Sequence, residues 1–547
     1  MKIKPIFVGI AVVGIFLLVL SLSAVSKVLG AIPREVLAGV KTQPLAIKFL
    51  PQRSPLFLSF LVNPEKLGLF TQLAAPPSDR GDVRHEIAKL KQQLQQNWLL
   101  DYERDIQPWL DQEITLAVTD VDLDAQPKNG LQTGYLLAFA VKDADLAKTS
   151  IDAFWQRLAV NGSDLGFEQY QGISILSTSF VEDKPAIAGT TLDQFVLFAN
   201  DTRVLHKAID AIQKPELSLA SLPNYRDRLA QLSTGKVSVA YVNLAEFGEE
   251  LPKESLLMGL GFDKTGIRVK TALTLANASD QSEIAAAPST TQLKTAKKSS
   301  GNIANTIPSG SSVIIGNNLA QTWQGLQGTI LPEWKQALIK SIAPIPIDAQ
   351  AFTWAQQDYA IALFPKSSNN PDWLVVAKVG DANGAKKVLG SLDDMARNKL
   401  TVGELSLKSQ PVTIWTKLSA SDSFGVSGNV VAAHTQTKDY VYLASSLPVL
   451  ESALTLKNND SIAASKSFKT ILAKLPSDRL TYGYLDKSLD LSWLQKSISK
   501  IELASGISEN TGVSILEKIH KHLKVSGFVS SNSEVLMQNI ELSLILK

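Results

Sequence analysis

Two rhythms of apolar residues alternate along this chain, one of period two and one near 3.6, and the whole succession occurs twice. Period two puts one face of a strand in the core, and period 3.6 puts one stripe of a helix there. In the first half, Leu56-Phe57-Leu58-Ser59-Phe60-Leu61 predicts a strand over 55–62. A short helix starts at Pro64 and breaks at Pro76-Pro77. From Asp82 to Asn97, Val83, Ile87, Leu90 and Leu94 lie four, three and four apart, one face of an amphipathic helix. Strands follow at 112–119 and 133–141, then a helix over 143–159 that turns Leu146, Ile151, Phe154, Trp155 and Leu158 inward. Strands at 165–170 and 172–178 are joined by Gln171-Gly172, a tight-turn pair. A strand at 194–199 leads into a helix at 201–212 with Asn200 or Asp201 as N-cap. A helix at 223–232 begins on Pro223, and strands at 236–243 and 265–276 complete the half.

The same succession recurs from about Ala304 to Leu546. Phe49 to Ser54 corresponds to Thr306 to Ser311 at an offset of 257, which pairs Pro51 with Pro308 and Ser54 with Ser311. An apolar run follows in each, Leu56 to Leu61 and Val313 to Gly316. Ile114 to Val118 matches Tyr359 to Leu363 at 245, and Tyr135 to Val141 matches Trp373 to Val379 at 238. An aspartate, Asp143 or Asp381, and a helical stretch come next in both. Phe195 to Ala199 matches Tyr440 to Ala444 at 245, and Tyr225 to Leu232 matches Phe468 to Leu475 at 243. Offsets that drift by a few residues are loop insertions, which surface loops tolerate. A period near 245 residues is far longer than a solenoid repeat, so each copy is a domain with its own core.

Strands in groups, joined by hairpin-length connections and interrupted by helices, predict α+β folding with mostly antiparallel sheets instead of a doubly wound α/β sheet. Each copy is expected to form a sheet with helices on one face. The expected organisation is an N-terminal transmembrane signal-anchor at 1–30, a first domain at 31–276, a flexible linker at 277–305 and a second domain at 306–547. The linker is Ala-, Ser-, Thr-, Asn- and Lys-rich, as in Ala285-Ala286-Ala287-Pro288-Ser289, and has too few large apolar side chains to fold.

The anchor rests on charge pattern. Met1-Lys2-Ile3-Lys4 is basic, and Pro5 to Val25 is uncharged and mostly apolar. That is long enough to span a bilayer, which takes about 20 residues. The competing reading is a cleaved signal peptide ending near Ala24-Val25-Ser26, with an apolar region of roughly 7–15 residues. Both place the rest of the chain outside the cytoplasm. Composition adds exclusions. There is no cysteine, so disulfides, thiol catalysis and cysteine-ligated metals are out. A net charge of +2 carries no global field, so no nucleic-acid partner is expected.

Candidate chemistry is sparse. The five histidines are His85, His206, His434, His520 and His522, and only His520-Lys521-His522 is a cluster, read as exposed polar residues before a strand. Lys264-Thr265-Gly266 and Ser497-Ile498-Ser499-Lys500 match two penicillin-binding-protein motifs, but in reversed order, in different copies and without the middle motif. Gly259-Leu260-Gly261 lacks the third glycine of a dinucleotide fingerprint and reads as a loop before a strand. Asp120, Asp122 and Asp124 alternate like the start of a calcium loop, but without its glycine and distal glutamate they read as a solvated turn. Trp98 and Trp109 flank the Gln-rich helix and are candidates for an exposed groove. No catalytic, cofactor-binding or metal-binding residues are assigned, and no cofactor is expected.

The Leu50-Pro51-x-x-Ser54-Pro55 opening, the Tyr135–Asp143 segment, the Tyr170-Gln171-Gly172-Ile173 turn and the duplication behind an anchor resemble a cyanobacterial family known as domain of unknown function 3352. The resemblance implies a membrane-anchored protein facing the periplasm or thylakoid lumen, and it carries over no functional residues. The expected function is a non-enzymatic, membrane-tethered scaffold or binding protein that assists envelope or thylakoid assembly, with a membrane-protein or lipid partner. The alternative is a carrier of an apolar ligand, lipid or pigment, held between sheet and helices.

Overall fold

The computed structural model describes residues 43–63, scattered positions from 65 to 98, then 99–178, 186–232, 236–247, 254–263, 266–275, 302–320, 352–365 except 353, 372–421, 425–473, 481–486, 523–530 and 539–546. The expected anchor at 1–30, nearly all of the linker, His520, His522 and Ser497 to Lys500 lie outside them. Among the described residues no helix is long and apolar enough to cross a membrane. The chain forms two compact units, the first built on residues up to 281 and the second on 282–498 and 523–545.

The first unit has ten strands among the described residues: β1 (Leu56–Phe60), β2 (Leu110–Asp120), β3 (Gly134–Val141), β4 (Leu165–Tyr170), β5 (Ile173–Thr178), β6 (Ala188–Leu192), β7 (Phe195–Ala199), β8 (Lys236–Asn243), β9 (Glu254–Asp263) and β10 (Gly266–Leu275). Antiparallel pairing gives the order β4-β5-β6-β7-β3-β2-β1-β8-β9-β10. Helices α1 (Ala144–Val160), α2 (Thr202–Gln213) and α3 (Pro223–Gln231) complete it. Asp143 caps α1 through Leu146 N–H, and Asp201 caps α2 through Arg203 N–H, each satisfying an amide the helix leaves open.

The second unit repeats this plan. Its strands are β11 (Ser312–Gly316), β12 (Tyr359–Phe364), β13 (Asp372–Lys378), β14 (Thr401–Leu407), β15 (Gln410–Ser421), β16 (Gly425–Gln436), β17 (Tyr440–Ala444), β18 (Thr481–Leu485), β19 (Leu523–Ser530) and β20 (Asn539–Leu546). Their order is β14-β15-β16-β17-β13-β12-β11-β18-β19-β20, position for position that of the first unit. Helices α4 (Ala382–Arg397), α5 (Leu447–Leu454) and α6 (Lys466–Leu472) stand where α1, α2 and α3 stand.

The likeness reaches single residues. Leu136 pairs with Ala199 and Leu374 with Ala444; Ala188 pairs with Ala199 and Ala433 with Ala444. Pro51 bridges to Ser218, and Pro308 to Ser461. Leu219 N–H donates to Leu50 C=O, and Ile462 N–H to Ile307 C=O, each at 2.8 Å. The first hairpin turns on Gln171 and Gly172, the second on Lys408 and Ser409, all four with positive φ. Two positive φ values in succession twist the hairpin with its strands.

Helices cover both faces of each sheet, which corrects the expectation of one. Alternation along β3 sends Leu136 and Ala138 to a core under α2 and α3, and Leu137 and Phe139 to a core under α1. In β13, Leu374 and Val376 face the α5–α6 side, and Trp373, Val375 and Ala377 face α4. Nearly continuous apolar strands such as Phe195–Ala199, all buried, carry that double burial. Two helix readings shift as well. On α1 the inward stripe is Ala147, Ile151, Phe154, Trp155 and Leu158, while Leu146 is 46 % exposed. Gly259-Leu260-Gly261 lies inside β9, not in a loop, and Gly259 lets the Leu232 side chain approach the strand: an added Cβ would stand 3.1 Å from Leu232 Cδ1.

Candidate functional site

The two units differ in the side chains at one interface their plans share, that of α1 or α4 with the sheet. In the first unit this interface is an aromatic cluster. Phe154 stands edge-on to Trp155 at 5.0 Å and to Phe198 at 5.6 Å, and Phe139 lies 6.3 Å from Phe198 and 6.1 Å from Trp109. Such edge-to-face packing adds to burial. Gly189 on β6 makes room for it, since a Cβ there would lie 2.8 Å from Trp155 and 3.0 Å from Phe198.

Strand register and distance from the helix caps Asp143 and Asp381 identify the matching positions of the second unit. Phe139, Phe154 and Phe198 become Ala377, Leu392 and Leu443. Trp155 becomes Asp393, and Gly189 becomes His434. The large ring on the helix and the bare backbone on the strand are thus exchanged for a carboxylate on the helix and an imidazole on the strand. They meet: His434 Nε2 lies 2.8 Å from Asp393 Oδ1, and Trp415 Nε1 donates to the same oxygen at 2.7 Å. The indole stands edge-on to the imidazole, ring centres 5.4 Å apart. The His434 side chain is 5 % exposed and that of Asp393 14 %. Burial pushes the Asp393 carboxyl up, but the His434 bond and charge, the Trp415 bond and nearby Arg397 outweigh it and hold the group below the usual carboxylate range.

Beside this cluster is a small apolar crevice whose free space, about 20 Å³, is that of about one water molecule. Val375, Ala377, Leu389, Leu392, Val441 and Leu443 line it, with Phe352 and Trp354. Leu392 precedes Asp393 in α4, and Leu443 faces His434 across the strand pair, so polar cluster and crevice share one interface.

The other singled-out residues are dispersed. Trp109 is fully buried and donates from Nε1 to Asp105 C=O at 2.6 Å, so the groove expected at Trp98 and Trp109 is absent at Trp109. Asp105, 1 % exposed, is also met by Arg157 at 2.7 Å and Arg104 at 3.1 Å. Asp120 pairs with Lys207 at 2.5 Å, Asp122 accepts from Gln132 N–H, and Asp124 accepts from Gln126 N–H and the Asn129 amide. They form a turn, and no group of His, Asp or Glu able to hold a metal occurs among the described residues. His206 stacks on Tyr170, ring centres 4.0 Å apart, and its Nε2 sits 2.7 Å from Glu168 Oε1 at an angle that makes no hydrogen bond. His85 is exposed, and Lys264 and Thr265 lie outside the described residues.

A buried carboxylate was not legible in the sequence. Glu113 on β2 accepts Leu45 N–H at 2.8 Å, Ala46 N–H at 2.9 Å and the Thr115 hydroxyl at 3.1 Å. Burial lifts its pKa above the usual range, and these bonds and Lys48 pull it only part of the way back. It ties the turn at Leu45–Phe49 to the sheet.

The fold and site define a two-unit α+β protein of antiparallel sheets clad by helices, with a mixed polar and apolar recess in the second unit. The chain belongs to the family described as protein of unknown function DUF3352, whose model matches residues 10–526. No curated protein matches it. No solved structure matches it either.

Proposed function

We propose that this protein is a non-enzymatic binding scaffold, tethered to a membrane by its N-terminal apolar segment, with its two units outside the cytoplasm and descended from one duplicated domain. The carrying observation is that each unit ends in an open edge at the same place. Among the described residues β4 pairs only with β5, and β14 only with β15. Unpaired edges recruit extended segments of other chains. Phe167 on β4 is 69 % exposed and offers an apolar contact beside that edge. The shared residues Pro51 and Pro308, Ser54 and Ser311, Asp143 and Asp381 serve bridges, turns and caps, while the polar clusters are not shared. That pattern favours shape and surface over repeated chemistry.

Purification of the tagged full chain from detergent-solubilised membranes tests this. A reproducible protein partner, lost when Phe167→Asp is introduced, is the expected result. A chain recovered alone, or in the soluble fraction, sinks the proposal. A second reading, a carrier of an apolar ligand, would use the crevice under α4, which as it stands has room for about one water-sized molecule and would have to open. Native mass spectrometry of the purified chain decides it by the presence or absence of retained ligand mass.

A further inference from the structure

We propose that the β4–β5 hairpin of the first unit carries a proton-dependent grip on α2, which fixes the open edge of β4 in acid and loosens it as the pH rises. The inference adds regulation to the binding edge, and that consequence rests on the binding reading. His206, Asp210 and Gln213 lie four and three residues apart on α2, one stripe of the helix. Opposite them stand Glu168 and Tyr170 on β4 and Gln171 in the turn. The Tyr170 hydroxyl lies 3.2 Å from both Asp210 carboxylate oxygens, the Gln171 amide donates to Asp210, and the Gln213 amide donates to Gln171 C=O at 3.1 Å. His206 lies flat on the Tyr170 ring, centres 4.0 Å and planes 13° apart, with Nε2 2.7 Å from Glu168 Oε1. That nitrogen is buried and makes no hydrogen bond. Protonated, the imidazolium meets a carboxylate at contact distance and the face of a phenol ring, both favourable to a cation. The Glu168 side chain is 41 % exposed and has room to turn toward the proton.

The surroundings of His206 make Glu168 its partner. The strands under α2, β3, β5, β6 and β7, contain no Asp, Glu, Lys or Arg, and Tyr135 of β3 faces the other side of the sheet. Along α2, Arg203 pairs with Asp201 and Lys207 with Asp120 of β2, and a charge on His206 reaches Asp201. Lys48 of the Leu45–Phe49 turn pairs with Asp193, while Lys214 and Glu216 follow the far end of α2. The second unit holds its matching hairpin by other means. Counted from the caps Asp201 and Ser446, His206 becomes Glu451; counted from the turn, Glu168, Tyr170 and Gln171 become Leu405, Leu407 and Lys408. Lys408 meets Glu451 at 3.2 Å, and the two leucines pack on the core. A lysine–carboxylate pair keeps its charges between about pH 5 and 8, the range in which an imidazole changes its own. The proton-dependent grip therefore belongs to the first unit alone.

The test is amide-exchange mass spectrometry of the full chain at about pH 8 and about pH 5.5, with rates taken relative to the unstructured chain at each pH. Protection on β4 and β5 is expected to rise by about two- to fivefold at the lower pH, the worth of a partly exposed ion pair, while that on β14 and β15 stays level. His206→Gln and Glu168→Gln should each abolish the rise and leave β6 and β7 protected, which separates a lost grip from a misfolded unit. His206→Arg, whose guanidinium stacks on aromatic faces and keeps its charge, should hold the hairpin at both pH values. Equal protection at both pH values in the unaltered protein overturns the proposal. So does a rise that persists in His206→Gln. Partner capture at the two pH values tells this proposal from the reading it rests on. A partner captured equally well at both overturns the regulation while the binding reading stands. A chain without a partner at either pH sinks the binding reading, and a hairpin that still tightens in acid then upholds the grip.

Discussion

Removing the carboxylate under α4 tests whether the His434–Asp393–Trp415 cluster stabilises the second unit. Asp393→Ala strands two donors at once, the Trp415 indole N–H at 2.7 Å and the His434 Nε2 at 2.8 Å. Trp415 is fully buried and His434 nearly so. A buried donor left without a partner costs about 1–3 kcal/mol, so two give roughly 2–6 kcal/mol. Asp393 retains some exposure, and water entering the vacated space satisfies part of the loss, so about 3 kcal/mol is expected. The assay is urea denaturation read by amide-exchange mass spectrometry on β15, β16 and β17, which reports the second unit apart from the first. His434→Ala alone should cost less, since it frees one lone pair on an oxygen that Trp415 still meets. The double variant should fall short of the sum by about 1 kcal/mol or more, as expected of contacting residues. The pH dependence follows from the lowered pKa of Asp393. A carboxyl held below its unfolded value of about 3.9 stabilises the fold above that pH and loses the contribution as the pH falls through the folded value. Acid should therefore narrow the difference between the parent and Asp393→Ala, leaving the part that the neutral carboxyl keeps by accepting the Trp415 indole N–H. A change below about 0.5 kcal/mol at neutral pH, or strict additivity in the cycle, refutes the reasoning.

Three further outcomes are expected. Gly189→Ala should destabilise the first unit by about 1–3 kcal/mol in the same exchange assay, because its Cβ would stand 2.8 Å from Trp155 and 3.0 Å from Phe198, both buried rings. Glu113→Ala should cost about 2–4 kcal/mol and speed exchange at the Leu45 and Ala46 amides, with Glu113→Gln milder because one acceptor remains. Since Glu113 has a raised pKa, its contribution is full below the ordinary glutamate range and declines as the pH rises through the folded value. At the hairpin turns, Ser409→Gly should stabilise the second unit by about 1 kcal/mol by relieving a positive φ of 66°, and Gly172→Ala should destabilise the first similarly, with thermal melts as the readout.

Much of the architecture was written in local pattern. The Gln171-Gly172 turn, the Asp201 cap, the start of α3 at Pro223 and the strand 236–243 fall where spacing and turn chemistry put them. Local signals miss elements whose identity depends on neighbours. Leu146 belongs to the right helix, but Ala147 takes the inward position because the sheet fixes the helix's rotation. Gly259 and Gly261 look like loop residues, yet they lie in a strand because β8 and β10 flank them and Leu232 packs against one of them. Trp109 looked like a groove wall and proved to be the edge of an aromatic core. The candidate site was illegible for a related reason. Asp393, Trp415 and His434 are separated by 22 and 19 positions, and each alone is an ordinary polar or aromatic residue.

By itself the sequence determined many of the first half's strands and helices, the absence of thiol chemistry and the apolar N-terminal run, because each is a matter of composition or short-range period. Only the tertiary structure decided that helices clothe both faces of each sheet, and that the two units keep one strand order. It alone decided that Trp155 over Gly189 in one unit becomes Asp393 against His434 in the other. These are facts of register and helix rotation. Both are set by which long-range pairing buries the most surface with every polar group satisfied, and no stretch of the chain carries that information alone.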